Sequence, residues 1–445
     1  MAPTAVAATP TRATARSATP SSSPAQPSPN ATDSPTSSAS PSGELALAKA
    51  DVARLPAEPG DAKLAAEAIN RFALDLHREL AVEGENLVFS PASVAVALGM
   101  ARAGAKGQTA DEMDDVLYAV ASEDHANWLN ALDHALADRS GTFEDDGGAE
   151  HELTLRVANS YFAQDDLEFE RAFLEVLASR YGAGVHLVDY KRDPEAARRL
   201  INAWISDATE ERIPEILVPG DVTNQTRLAL ANAIYLKAPW QMPFQEELTT
   251  QEPFRLGDGS EVEVPMMHTS GTVRCSRGEG WQAAELPYVG NALAMLVVVP
   301  DDLAAFEAEL DADLLNRVVD SLAETEARAE LALPRFSTEA RAELTPVLQA
   351  LGMEVPFSPD EADFSGITGD ERLHIGFVIH QANIDVDEKG TEAAAATVVG
   401  MDTSGGGPAE VCDIAADQPF LFAIRDVETG AILFLGRIVD PSATG

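Results

Sequence analysis

Apolar positions recur at helical spacing from residue 65 to 80, placing Ala65, Ile69, Phe72, Ala73 and Leu76 on one face. The same periodicity predicts helices over 92–103, 110–117, 126–137, 169–180 and 196–208. Alternation of apolar and polar residues over 153–158 predicts a half-buried strand, and 227–236 predicts another. A strand-rich half follows, over 262–267, 272–275, 282–287, 293–299, 330–333, 374–377 and 379–386. Residues 420–425 and 432–438 read as a buried hairpin turning at Glu428, Thr429 and Gly430. Helices first and strands later, without regular βαβ alternation, indicate an α+β fold.

Residues 1–43 are almost entirely Ala, Pro, Ser and Thr, a composition that cannot build a core. The chain therefore divides into a disordered spacer over 1–55 and a folded domain over 56–442. Such a spacer suggests export or surface attachment, through a segment outside this chain; an extracellular or cell-surface location is expected. No apolar run is long enough to span a membrane.

The charge is extreme: 73 acidic against 31 basic residues, a formal −42 in 445 residues. A chain so acidic repels nucleic acid and anionic lipid, which removes both as partners. Its self-repulsion should be screened in concentrated salt. Cys275 and Cys412 are far apart, with no CxxC or metal-like spacing. A disulfide stays open, but the reading is two ordinary small residues. No phosphate loop, dinucleotide fingerprint, zinc-protease helix or nucleophile elbow occurs, so no catalytic residue, metal or cofactor is expected.

The most informative stretch runs from Asp387 to Met401. Glu388, Lys389 and Gly390 form a polar, flexible hinge, followed by Thr391, Glu392, Ala393, Ala394, Ala395 and Ala396. After Glu392 there is no charge, and no proline, as far as Met401. In a strand, Thr391, Ala393, Ala395, Thr397, Val399 and Met401 share one face, all small or apolar. Such a segment can slide between two strands and pair with both. An Ala-rich solvated loop or helix is the plain alternative.

This run resembles the reactive-loop hinge of the serpins, serine protease inhibitors in which loop insertion is an established case of strand addition. Further motifs of the family follow in order. Phe89-Ser90-Pro91-Ala92-Ser93 resembles its strand-to-helix segment, and Asn232, Trp240 and Phe244 lie in a run similar to its central strand and following turn. Leu333-Pro334-Arg335-Phe336, Asp363-Phe364-Ser365-Gly366, His380, Pro419-Phe420 and Gly436-Arg437 match other signatures. The resemblance covers residues 62–442.

The resemblance implies a fold of helices and three β-sheets, with an exposed reactive loop over about 388–410. It implies a buried "shutter" of Ser90, Ser93, Asn232 and His380, and a "breach" of Trp240, Arg335 and Glu388 at the loop's insertion point. Its function would be irreversible covalent trapping of a serine protease as an acyl complex, by a monomer that is not itself an enzyme. The acidic stretch 121–150 argues against the heparin activation that some serpins use. Counting about sixteen residues from the hinge glutamate places the attacked bond at Ser404–Gly405, with Met401–Asp402 as runner-up. Counting back from Pro419 lands nearer Pro408–Ala409; insertion length is the mechanical constraint and decides for the first. A small residue there suits elastase-like or subtilisin-like proteases. The competing reading is a serpin-fold binding or structural protein that does not insert its loop.

Overall fold

A computed structural model describes residues 46–58, 60–119, 122–323, 326–391 and 411–443. The first helices are α1 (Asp61–Leu80), α2 (Pro91–Arg102), α3 (Gly107–Val116), α4 (Ser122–Ala137), α5 (Arg171–Tyr181) and α6 (Pro194–Ala208). Later come α7 (Leu303–Glu309), α8 (Ala312–Ala323) and α9 (Thr345–Ala350). The six early helices fall where periodicity placed them, and in α2 and α6 a capping side chain agrees with the pattern. The Ser90 hydroxyl caps α2 by accepting from Ser93 N–H, with Pro91 in the first turn. Asp193 caps α6 in the same way, ahead of Pro194.

The first eight strands are β1 (Leu47–Ala48), β2 (Leu87–Phe89), β3 (Gly141–Glu144), β4 (Glu150–Gln164), β5 (Val185–Val188), β6 (Leu228–Pro239), β7 (Thr250–Arg255) and β8 (Glu261–Gly278). Next are β9 (Trp281–Pro287), β10 (Leu293–Pro300), β11 (Glu326–Pro334), β12 (Phe336–Glu343) and β13 (Ile379–Asp387). The last are β14 (Gly390–Thr391), β15 (Val411–Ala415), β16 (Phe420–Asp426) and β17 (Ile432–Ile438).

One sheet has the order β1-β5-β4-β6-β14-β13-β12, with β3 on the side of β4. The other network runs β15-β11-β8-β9-β10-β16-β17-β2, with β7 against β8. The second and third sheets of the expected fold share the long β8: β7 and β11 pair with its earlier part and β9 with its end. Strands β10, β16 and β17 are buried along their length; β10 is apolar throughout, whereas β16 also buries Arg425 and Asp426, and β17 Arg437. The main core lies between α1, α2 and the two networks. A smaller one, with Phe162, Ile201, Ile205 and Ala231, packs α6 on the opposite face of the first sheet.

Two expectations are corrected here. Residues 374–377 form no strand: β12 ends at Glu343 opposite Ile379, so the backbone just before β13 bonds to the start of α9 instead. The spacer boundary at 55 also falls too late. Leu47–Ala48 pair with β5, Ser179 C=O accepts from Leu55 N–H, and Arg54 bonds to Asn130 and Asp133 on α4.

Candidate functional site: a strand-wide slot and its latch

Strands β13 and β14 form a tight hairpin. Val386 faces Thr391 and Asp387 faces Gly390, leaving only Glu388 and Lys389 in the turn. An Asp387 carboxylate oxygen accepts from the N–H groups of Lys389 at 2.8 Å and Gly390 at 3.2 Å. Gly390 has φ +151°, and a Cβ there would collide with the Ala238 carbonyl oxygen, so only glycine fits. Residues 387–391 thus form a turn whose backbone bonds to one side chain and to two ladders.

On its other side β14 pairs with Pro239 and Ala238 of β6. At this end β6 and β13 thus stand two strand spacings apart, roughly 9.5 Å. Below it, among the described residues, no strand pairs with β6 over 228–237 on that side, nor with β13 over 379–385. The hairpin aims the chain back down between them, antiparallel to both.

A latch surrounds the turn. Trp240 is buried; its Nε1–H donates to Asp387 C=O at 2.9 Å, and its backbone N–H donates to Lys389 C=O at 2.8 Å. The indole stacks on Tyr288, centroids 4.6 Å apart and planes 6° from parallel. The Tyr288 hydroxyl shares a 2.7 Å hydrogen bond with Thr391 Oγ1. Phe244 N–H donates to Glu388 C=O. Glu388 is 3% exposed, and one carboxylate oxygen accepts from Thr249 Oγ1 at 2.7 Å and from Arg335 Nη2 at 2.6 Å. Burial pushes the Glu388 carboxyl up, but these two donors outweigh it and hold it below the ordinary range. Trp240, Arg335 and Glu388 are thus brought together.

Beneath the slot, Ser90, Ser93 and His380 are brought together in the core. Ser90 N–H donates to His380 Nε2 at 2.9 Å. Burial drives the His380 imidazole down to about 4, so it stays neutral. Asn232 sits in β6 opposite Asn159; its side chain lies outside the described ones. Beside His380 is a cavity of about 60 Å³ lined by Val94, Leu98, Leu228, Leu230 and Phe377 among others.

Glu392, Ala393, Ala394, Ala395, Ala396, Met401, Asp402, Ser404 and Gly405 lie outside the described residues. Cys275 and Cys412 form a disulfide, which corrects the reading of two independent residues. Chain separation hid it: β11 and β15 run parallel, so the fold returns Cys412 to the end of β8. Tyr288 and Thr249 were not singled out from sequence. Tyr288 follows Pro287 at a strand end, a weak signal; Thr249 carried none.

A sheet held one strand open at one end, over a buried polar cluster, is the serpin architecture. A family model for serpins, described as serine protease inhibitors, matches residues 67–441. The chain is 36% identical over 385 residues to an uncharacterized serpin-like protein of Thermococcus kodakarensis, covering 86% of this chain and 87% of that one. It is 36% identical over 387 residues to the leukocyte elastase inhibitor of Bos taurus, covering 83% and 98%. The crystal structure of uncleaved ovalbumin matches with a TM-score of 0.74 at 27% identity, covering 85% of this chain and all of that one. This chain belongs to the serpin family.

Proposed function

We propose that the protein inhibits serine proteases by letting them cut its loop and then inserting the cut segment as a strand between β6 and β13. The observation that carries this reading is β14, two residues already seated in that slot and pointing down it. Extending its register places Ala393, Ala395, Thr397, Val399 and Met401 opposite residues 236, 234, 232, 230 and 228 of β6. Directly opposed residues share a face, so this small, apolar face meets the core side of the sheet.

Magnitudes say what drives it. Ten residues joining two ladders gain on the order of 1 kcal/mol per hydrogen bond. Ordering each residue costs roughly 1–2 kcal/mol, so the two nearly offset. Apolar burial then decides, and Val399 and Met401 come to lie over the cavity at Leu228 and Leu230.

In the trapping step the protease serine attacks the Ser404 carbonyl and the Gly405 amine leaves. The resulting ester ties the protease to a strand that carries it to the far end. With Met401 opposite the first residue of β6, a cut after Ser404 leaves three residues beyond the sheet. Elastase-like and subtilisin-like enzymes suit a small residue at the cut. The acidic character of α4 and β3 gives no purchase for a polyanion activator.

Incubation with a small panel of elastase-, subtilisin- and trypsin-like proteases tests this. The expected result is an SDS-stable complex with one of the first two and, once the Cys275–Cys412 disulfide is reduced, a released peptide starting at Gly405. Cleavage without a complex, and without a rise in Tm, would support the non-inserting binding protein instead.

A further inference from the structure

Met242 follows Trp240 of the latch by two residues. Among the described residues the chain has seven methionines. Met100, Met113, Met266, Met267, Met295 and Met353 are each at most 1% exposed. Met242 is partly exposed while it packs against the main core. An oxidant in solution therefore reaches this thioether, and meets the other six only when the fold opens.

The Met242 sulfur lies on the backbone of Gly271 in β8, where even a Cβ would overlap Sδ. Glycine at 271 is what admits the thioether, and the contact leaves no room on that side for an added oxygen. A sulfoxide is polar as well as larger, so it leaves an apolar seat for water.

The displacement can travel one way only. Toward Trp240 the chain is clamped at Gln241. Its N–H donates to Pro287 C=O at 2.9 Å, its C=O accepts from Asp146 N–H at 3.0 Å, and its side-chain amide bridges Asp146 and Gly290. On the other side Pro243 has no backbone N–H to hold it, and Phe244 comes next. Phe244 N–H donates to Glu388 C=O at 2.8 Å, and its ring stands edge-on to Trp240, centroids 6.2 Å apart. Motion of Met242 is thus passed to the bond that Phe244 makes with the 387–391 turn.

We propose that Met242 is a modification site for peroxide, and that its sulfoxide loosens the latch by drawing Phe244 away from Glu388 and Trp240. In the step a sulfur lone pair attacks one peroxide oxygen. The S–O bond forms as the O–O bond breaks. Sulfur is oxidised, giving up an electron pair, and the peroxide is reduced; its second oxygen leaves as water, taking the proton of the first. The site concerns the latch alone and holds whether or not the loop traps a protease.

The test uses the full, disulfide-bonded chain carrying Met401→Leu, so that oxidation at that position does not enter. It is treated with hydrogen peroxide for increasing times. Peptide mass mapping should show Met242 taking up one oxygen at least about ten-fold faster than any of the six buried methionines. Tm should fall by roughly 2 °C or more in step with that uptake, and tryptophan fluorescence should change with it. Adding Met242→Leu, a swap of similar volume that peroxide leaves intact, should abolish both effects of the treatment. Uptake at Met242 no faster than at the buried methionines overturns the proposal. So does an oxidised Met242 with unchanged Tm and fluorescence, or an equal fall in the protein that carries Met242→Leu.

Discussion

The backbone N–H of Ser90 donates to Nε2 of His380 at 2.9 Å, joining the cap of α2 to the second residue of β13. The bond requires a neutral imidazole. Burial lowers its pKa from an ordinary 6.5 to about 4, so the folded state binds this proton less readily than the unfolded chain. The stability involved is fully present above pH 6.5 and is lost as pH falls toward 4, by about 3 kcal/mol in total. Urea unfolding of the wild type and His380→Gln between pH 4 and 7.5 checks this. The wild-type advantage should shrink across that window; a constant difference would refute the assignment.

His380→Ala at neutral pH leaves the Ser90 N–H buried without its acceptor, at a cost of roughly 1–3 kcal/mol. Because the bond ties β13 to the layer beneath, its loss should also ease opening of the slot to a neighbouring molecule's loop. Lower Tm and higher-order species on size-exclusion chromatography after warming are the expected outcome. An unchanged Tm and a clean monomer would contradict it.

Glu388 takes two donors on one oxygen, so their removal should not be additive. Arg335 is half exposed, and Arg335→Met should cost no more than about 1 kcal/mol while Thr249 remains. Adding Thr249→Val strips the buried carboxylate of both side-chain donors. The double variant should exceed the sum of the singles by about 1 kcal/mol or more in a denaturation cycle.

Gly390→Ala places a methyl against the Ala238 carbonyl, in a backbone conformation that L residues avoid. The hairpin must then open to relieve the contact. Loss of roughly 1–3 kcal/mol is expected, with slower trapping and more protease released uninhibited. Stopped-flow inhibition and the stoichiometry of complex formation would show it.

Val399→Asp tests the register directly. A carboxylate facing Leu230 in the inserted strand has no partner, which costs several kcal/mol. The cut variant should therefore lose most of the Tm gain expected of the cut wild type, while the uncut proteins unfold alike. Equal gains would mean that Val399 does not face the core.

What was legible in the sequence divides by the range of the interaction. Periodic helices such as α1 and the largely apolar strands β10, β16 and β17 declare themselves, since their pattern is their burial. Helix α8 carried the same signal in Leu314, Val318 and Leu322, all buried, but its polar flanks obscured it. Strand β12 was missed because one face is charged; only Phe336 and Thr338 are buried along it. Ser90, His380, Trp240, Arg335 and Glu388 were found through family motifs, whose meaning no local pattern reveals. Tyr288, Thr249 and the Cys275–Cys412 bridge depend on contacts between residues 103–139 positions apart, which only the folded topology supplies.

The stacking of Trp240 on Tyr288 has a practical corollary. Tyr288 holds Thr391, while the indole itself holds the carbonyl of Asp387, so both ends of the turn meet at one chromophore. Of the four tryptophans in the chain, Trp240 is the one in this position. Its fluorescence is a built-in optical gauge, and Trp240→Phe supplies the blank. Motion of the loop can then be timed in the unlabelled protein, before any covalent product has formed.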